Sequence, residues 1–192
     1  MANDSTRVLV GRPNATGGVY SGPLGTTLPT DATTALDAAL VAKGLVSEDG
    51  LQASYERSSN DIKDWGGNTV RSVQTDVTDS YTFALIQSDA EVLKEVFGDA
   101  QVTVTPADAT HGEQISIAAN GEPLPAKVYV FEMKDGLNKH RIVVPNGQIT
   151  ATDQITYTNG DAISYSLTLT AYPDSSGNTH YDYWDDGVVA AG

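Results

Sequence analysis

The sequence predicts a mainly β protein: a sandwich or barrel of many short strands, with one flanking helix and a long N-terminal arm. Three observations carry that expectation. Apolar residues alternate with period two in run after run from Leu51 to Trp184, separated by turn residues. A single segment, about residues 88–97, combines capping chemistry with a clear helical stripe. The first thirty residues carry three prolines and enough glycine to stop any helix or central strand from running through them.

In chain order, the arm comes first. Arg7 to Gly11 is a short apolar run, and Arg12 to Pro29 spaces Val19, Tyr20, Leu24 and Leu28 along an extended backbone. A merely solvated tail would be richer in charge and poorer in apolar residues. The arm therefore suits a surface, its own or a neighbour's. The division expected is an arm over residues 1–30 and a single β-sandwich domain over 31–192. Residues 31–43 then carry a helical pattern, with Ala32, Ala35, Leu36, Ala39 and Leu40 on one stripe, Asp31 at the start and Gly44 at the end. A second short helix is expected there.

Leu51, Ala53 and Tyr55 begin the strands, and Val70 to Val77 and Tyr81 to Leu85 continue them. Between Tyr55 and Val70 lies a polar connection longer than the roughly 2–5 residues of an ordinary hairpin loop. It holds Trp65 beside Gly66 and Gly67. Two readings of Trp65 stay open: it folds back onto its own core, or it docks on a neighbouring subunit. In the 88–97 helix, Ser88 is the expected N-cap and Glu91 its capping-box partner, with Val92, Leu93, Val96 and Phe97 on the buried face. Lys127 to Lys134 is almost continuously apolar, so it is expected to be buried on both faces. His140 to Val144, Gln148 to Thr158, Ile163 to Ala171 and His180 to Trp184 complete the strands, with Asn159-Gly160 as a hairpin signal.

Composition excludes several functions. The 192 residues contain no cysteine, so thiol chemistry, disulfides and cysteine-ligated zinc are ruled out. No stretch reaches the ~18–20 apolar residues of a membrane-spanning helix, and the N-terminus lacks the pattern of a signal peptide, which fits synthesis in the cytoplasm. The net charge of −14 comes with scattered Lys and Arg, which argues against gripping nucleic acid. His111, His140 and His180 have no ligand spacing, no nucleophile-elbow sequence is present, and the acidic tail from Asp182 to Gly187 lacks calcium-loop spacing. No catalytic residue, cofactor or metal is expected. Six tyrosines on the later strands leave a carbohydrate-binding or host-recognition module as the alternative class.

Taken in order, Leu9 to Tyr20, Leu28 to Ala32, Gly44 to Leu51, Ile62 to Gly67 and Val96 to Gly98 resemble the major tail proteins of long, non-contractile-tailed bacteriophages, especially those of actinobacterial hosts. The resemblance spans nearly the whole chain and rests on order and spacing, since each motif is short. It implies a structural, non-enzymatic virion protein, assembled in the host cytoplasm into hexameric rings stacked as a tail tube. Its implied partners are other copies of itself, a tape-measure protein inside, and tail terminator and distal tail proteins at the ends. DNA would pass through the lumen without specific binding. By position, the arm and the early loop match the elements that carry ring-to-ring contacts. The corresponding candidates here are Val10, Pro13, Val19, Tyr20, Leu24 and Leu28, then Ile62, Lys63, Asp64, Trp65, Gly66 and Gly67. Asp76, Asp79, Asp153 and Asp161 are candidates for an acidic lumen. With the chain ending at Gly192, no appended immunoglobulin-like domain is expected.

Overall fold

A computed structural model describes residues 8–14 and 17–189. Ten strands and one α-helix are found in them: β1 (Val19–Pro23), β2 (Val41–Ala42), β3 (Val46–Lys63), β4 (Thr69–Leu85), α1 (Ala90–Phe97), β5 (Val102–Thr105), β6 (Gln114–Ile117), β7 (Lys127–Asp135), β8 (Asn138–Thr152), β9 (Tyr165–Ala171) and β10 (Tyr181–Asp185). Eight of the strands form one antiparallel sheet in the order β2-β1-β7-β8-β9-β4-β3, with β10 paired to β8 beyond the reach of β9. The hairpin β5–β6 forms a separate small sheet.

Strand β7 shows why the sheet has two cores. Tyr129 and Phe131 face one side, joining Tyr81, Phe83, Leu85, Leu167 and Leu169 under α1. Val128 and Val130 face the other, packing with Tyr20, Leu40 and Val143. Every residue from Val128 to Glu132 is buried, as the nearly unbroken apolar run predicts.

Helix α1 closes the larger core with Val92, Leu93, Val96 and Phe97. Its N-cap is Asp89, whose carboxylate accepts the Val92 N–H at 2.9 Å, one residue later than expected. Ser88 instead hydrogen-bonds the Tyr165 hydroxyl, and Glu91 pairs with Lys43 at 2.8 Å and Lys94 at 3.0 Å. Those two ammonium groups, Lys43 first, hold the Glu91 carboxyl down to about 2. Glu95 is almost fully buried and ties the helix to the sheet. It accepts from the Tyr129 hydroxyl, from Ser21 Oγ at 2.8 Å and from Lys127 Nζ at 3.2 Å.

Five expectations are corrected. Residues 31–43 form no helix; they are bends and turns ending in β2. Arg141 Nη1 takes the carbonyls of Asp31 and Thr34, which a helix would use for its own ladder. The Asp31 carboxylate meanwhile closes a local turn onto the Thr33 and Thr34 N–H groups, and the bond from the Thr34 hydroxyl, followed by those N–H bonds, depresses its pKa. The apolar stripe is still used, because Leu36 and Leu40 cover the smaller core. This loop sits so close to β1 that a Cβ on Gly22 would lie 2.6 Å from the Ala39 carbonyl oxygen.

The arm is not separate from the sheet, since Val19 to Pro23 pairs with β7 along its whole length. Removing residues 1–29 would therefore strip out a core strand. The runs around His140 and Gln148 are one strand, β8, passing through Gly147, where a Cβ would lie 2.8 Å from Leu169 Cδ1. Chain between Thr152 and Tyr165 is a loop, so Asn159-Gly160 lies in that loop and does not make a two-residue hairpin. Finally, the connection after Tyr55 is no open loop: β3 and β4 stay paired as far as Lys63 and Thr69.

Replacing Glu95 by alanine is expected to cost about 3–5 kcal/mol, because it leaves the buried Tyr129 and Ser21 hydroxyls without their acceptor and Lys127 with Asp99 alone. Chemical denaturation measures this, and a loss below ~1 kcal/mol would contradict the anchoring role.

Candidate assembly surface

Strand β4 has two lives. From Asp79 to Leu85 it is hydrogen-bonded to β9 on one side and β3 on the other, and its inward residues Tyr81, Phe83 and Leu85 are buried. Before Asp79 it has only β3. From Tyr55–Asp79 outward the two strands form a free ribbon, paired through Lys63–Thr69, which at the rise of a strand reaches roughly 30 Å. Every residue from Gln52 through Thr78 is exposed. Two irregularities, at Ser58/Ser59 and Ile62/Lys63, interrupt its register, and such bulges add twist to a ribbon.

The ribbon's root is braced. Asp79 is buried and accepts from the Thr179 hydroxyl, with His180 Nδ1 3.2 Å from the same carboxylate oxygen. The His180 ring stacks on Tyr55 with centroids 5.0 Å apart, and Tyr55 meets Tyr81 edge-on. One side chain from β3 and one from β4 are thus held by the segment leading into β10.

The tip is a closed turn. Asp64 N–H donates to the Asn68 carbonyl at 2.9 Å, Gly67 N–H to the Asp64 carbonyl at 3.0 Å, and Asn68 N–H to the Asp64 carboxylate at 2.8 Å. Gly67 takes φ +85°, open to glycine without strain. The bonds from Asn68 hold the Asp64 carboxyl below its usual range. Trp65 projects from this turn fully exposed, at 105% relative accessibility, so of its two readings the fold-back onto its own core is not what the structure shows. Ile62 is about half exposed nearby, while Lys63, Gly66 and Gly67 are open to solvent.

The arm candidates divide. Val19 and Tyr20 are buried in their own sheet, so their side chains are not offered to a neighbour. Leu28 is half-buried against the smaller core, whereas Leu24 is exposed. Val10 and Pro13 lie exposed along β7: Pro13 bridges to Met133, Arg12 accepts from Lys134 N–H at 2.7 Å, and the Val10 N–H donates to Asp135. Arg7 and residues 15 and 16 fall outside the described residues.

The four acids are not brought together. Asp76 is exposed on the ribbon, while Asp79 belongs to the root cluster. Asp153 and Asp161 follow the far end of β8, where Thr152 is level with Leu167, several residues from the ribbon's root at Asp79 and Ala171. The tyrosines also form no platform. Tyr129 and Tyr165 are buried, Tyr157 and Tyr172 are exposed at separate places, and Tyr181 and Tyr183 stack on each other. Sequence reasoning missed one exposed feature. Trp184 stacks face to face on His140, 3.5 Å between centroids, and still leaves 61% of its surface open.

Large exposed apolar side chains carried on a ribbon with no core of its own define a structural subunit built to bury surface against other chains. The sequence matches the phage tail tube protein family over residues 1–188, and the chain belongs to that family. It is accordingly a structural component of the virion tail, a subunit of the tail tube and not an enzyme. No curated protein matches it. Among solved structures, the tail of an empty GTA particle, refined with C6 symmetry, is 13% identical, with 88% of this chain and 93% of that chain covered and a TM-score of 0.38. The cap that terminates the tube of the anti-feeding prophage is 12% identical, covering 95% and 98%, with a TM-score of 0.41. Both scores lie below 0.5, too low for the likeness to bear on assembly.

Because Trp65 touches nothing in its own chain, Trp65→Ala is expected to change folding stability by less than about 0.5 kcal/mol. Urea denaturation of the unassembled subunit reads this directly, and a loss above ~2 kcal/mol would place the indole in the fold's own core.

Proposed function

We propose that the chain assembles into hexameric rings that stack into the tube of a long non-contractile tail of actinobacteriophage type. The ribbon of β3 and β4 crosses from one ring to the next. What carries this reading is the ribbon itself: roughly 30 Å of paired backbone ending in a fully exposed tryptophan, with no core of its own. A two-stranded hairpin is marginally stable alone in water. One that keeps its register so far from the sheet gains most from a surface supplied by another subunit. Val10, Pro13 and Leu24 add exposed apolar surface on the body, and residues 1–30 supply both the strand β1 and the segment that precedes it.

In this arrangement a ring carries six copies of a chain whose formal charge is −14. A lumen faced by that surplus of carboxylates repels the phosphate backbone and lets DNA slide without adhering. Asp76, Asp153 and Asp161 are exposed and available for that role. Asp79 is engaged at the ribbon's root and is left out of it. A tape-measure protein inside, and terminator and distal tail proteins at the two ends, complete the set of partners.

The test shortens the ribbon. Excising Arg57 to Val77 and joining Glu56 to Thr78 through Asn-Gly keeps every strand of the sheet. Negative-stain electron microscopy at rising concentration is expected to show tubes for the intact chain, and only single rings or free subunits for the folded, shortened one. Tubes of normal length from the shortened chain would contradict the role given to the ribbon.

A further inference from the structure

Four cations of the body are already engaged: Lys43 and Lys94 with Glu91, Lys127 with Glu95, and Arg141 with Glu132. Arg57, Lys63 and Arg71, all on the ribbon, are exposed, and their side chains have no ion-pair or hydrogen-bond partner among the described residues. Lys63 adjoins the tip turn, and Arg71 follows it one pair farther in. Arg71 lies opposite Ile62 in the register, so the two side chains share a face a few residues from Trp65.

A surface that matches this chemistry lies at the other end of the chain. On β10, Asp182 and Trp184 share the exposed face, and Asp186 follows directly. One face of the Trp184 indole is covered by His140, which also sits 3.1 Å from Asp182, and the side chain remains 61% exposed. Leu137 and Val188 are exposed beyond the end of β10, where Gly187 packs against Leu137. After Arg141 the sequence contains no lysine or arginine; among the described residues no lysine or arginine is ion-paired to Asp182 or Asp186, and Lys139 lies opposite Asp185 in the register. Lys134 and Lys139 border the surface on the β7–β8 side. An indole held rigid on one face and flanked by carboxylates is a receptor for a guanidinium, which stacks on the ring and is bonded by the acids.

We propose that the Trp184 surface of one copy receives the ribbon tip of a second copy, with the Arg71 guanidinium over the open face of Trp184 beside Asp186, and with Ile62 against Leu137 and Val188. This rests on the reading of the ribbon as the ring-to-ring element, and it names that element's seat. The described arm residues then gain a different part. Val10 and Gly11 line the rim of the same surface, together with Met133 and Trp184, so they help build the seat while remaining on their own subunit.

Charge exchange tests the pairing. Arg71→Asp and Asp186→Arg, each alone, are expected to lower the yield of tubes by at least about tenfold, the equivalent of ~1.4 kcal/mol per contact. The double variant R71D/D186R, in which the charges are exchanged, is expected to recover most of that loss. Circular dichroism and urea denaturation confirm that each variant folds. If R71D fails to assemble but D186R and Trp184→Ala form tubes normally, the ribbon stacks rings on some other surface. This proposal then falls while the ribbon's role stands. If all three assemble normally, this proposal falls, and the shortened chain alone decides the ribbon's role.

A second measurement does not depend on charge. The chain has no cysteine, so Ile62→Cys and Val188→Cys in one chain supply the only thiols. Oxidation of assembled tubes is expected to give a ladder of covalently linked subunits, absent from either single variant. Tubes that give no ladder would overturn the proposal.

Discussion

The hydrogen bonding of β9 to β4 stops at Asp79, and the character of the molecule changes at that residue. On one side, β4 is a central strand whose alternate side chains are sealed beneath α1. On the other, the same strand and its partner β3 continue in water with neither face covered. A soluble subunit gains nothing within its own fold by extending a ribbon so far, since an isolated hairpin is marginal. The extension is useful only in an assembly, and the fold secures its base accordingly. Asp79, Tyr55, His180 and Thr179 form a packed polar cluster at the point of departure, so the ribbon leaves the sheet in a defined direction.

The body of the fold is arranged to hold that base firmly. Strand β7 is buried on both faces, and the two cores meet through it. Two buried acids make the remaining ties. Glu95 holds α1 to β1 and β7, and Glu132, opposite Arg141 in the register, fixes the guanidinium that gathers the 31–40 loop onto the second face. Both acids have several donors, which is the condition under which a buried charge is tolerated. In a chain of net charge −14, four cations of the body, Lys43, Lys94, Lys127 and Arg141, are committed to internal pairs, while Arg57, Lys63 and Arg71 are displayed unpaired on the ribbon.

Much of this was legible in the sequence, and the failures share a cause. Period-two alternation found the strands, the apolar run at 127–134 gave a doubly buried strand, and the 88–97 stripe gave the helix. Local pattern misled wherever a distant residue decided the outcome. The stripe at 31–43 has helical spacing, but Arg141, about a hundred residues away, claims its carbonyls. The runs His140 to Val144 and Gln148 to Thr158 were expected as separate strands, yet Gly147 between them lets β8 pass beneath Leu169. The polar stretch around Ser58 looked like a loop because it has no apolar alternation. That alternation reports burial, and the ribbon is a strand pair without burial. Trp65 was visible as an anomaly from the start. Trp184 was not, because its exposure depends on the packing of His140, which no local pattern encodes.

Hydrogen–deuterium exchange, compared between free subunits and assembled tubes, tests the central claim most directly. If the ribbon is the element seated on a neighbouring subunit, the amides of residues 57–63 and 69–77 exchange readily in the free protein, through fraying of the uncovered hairpin, and become strongly protected in the tube. The amides of β7 should be protected in both. Ribbon amides that exchange equally fast before and after assembly, with new protection confined to the sheet edges at β2 and β3, would contradict it.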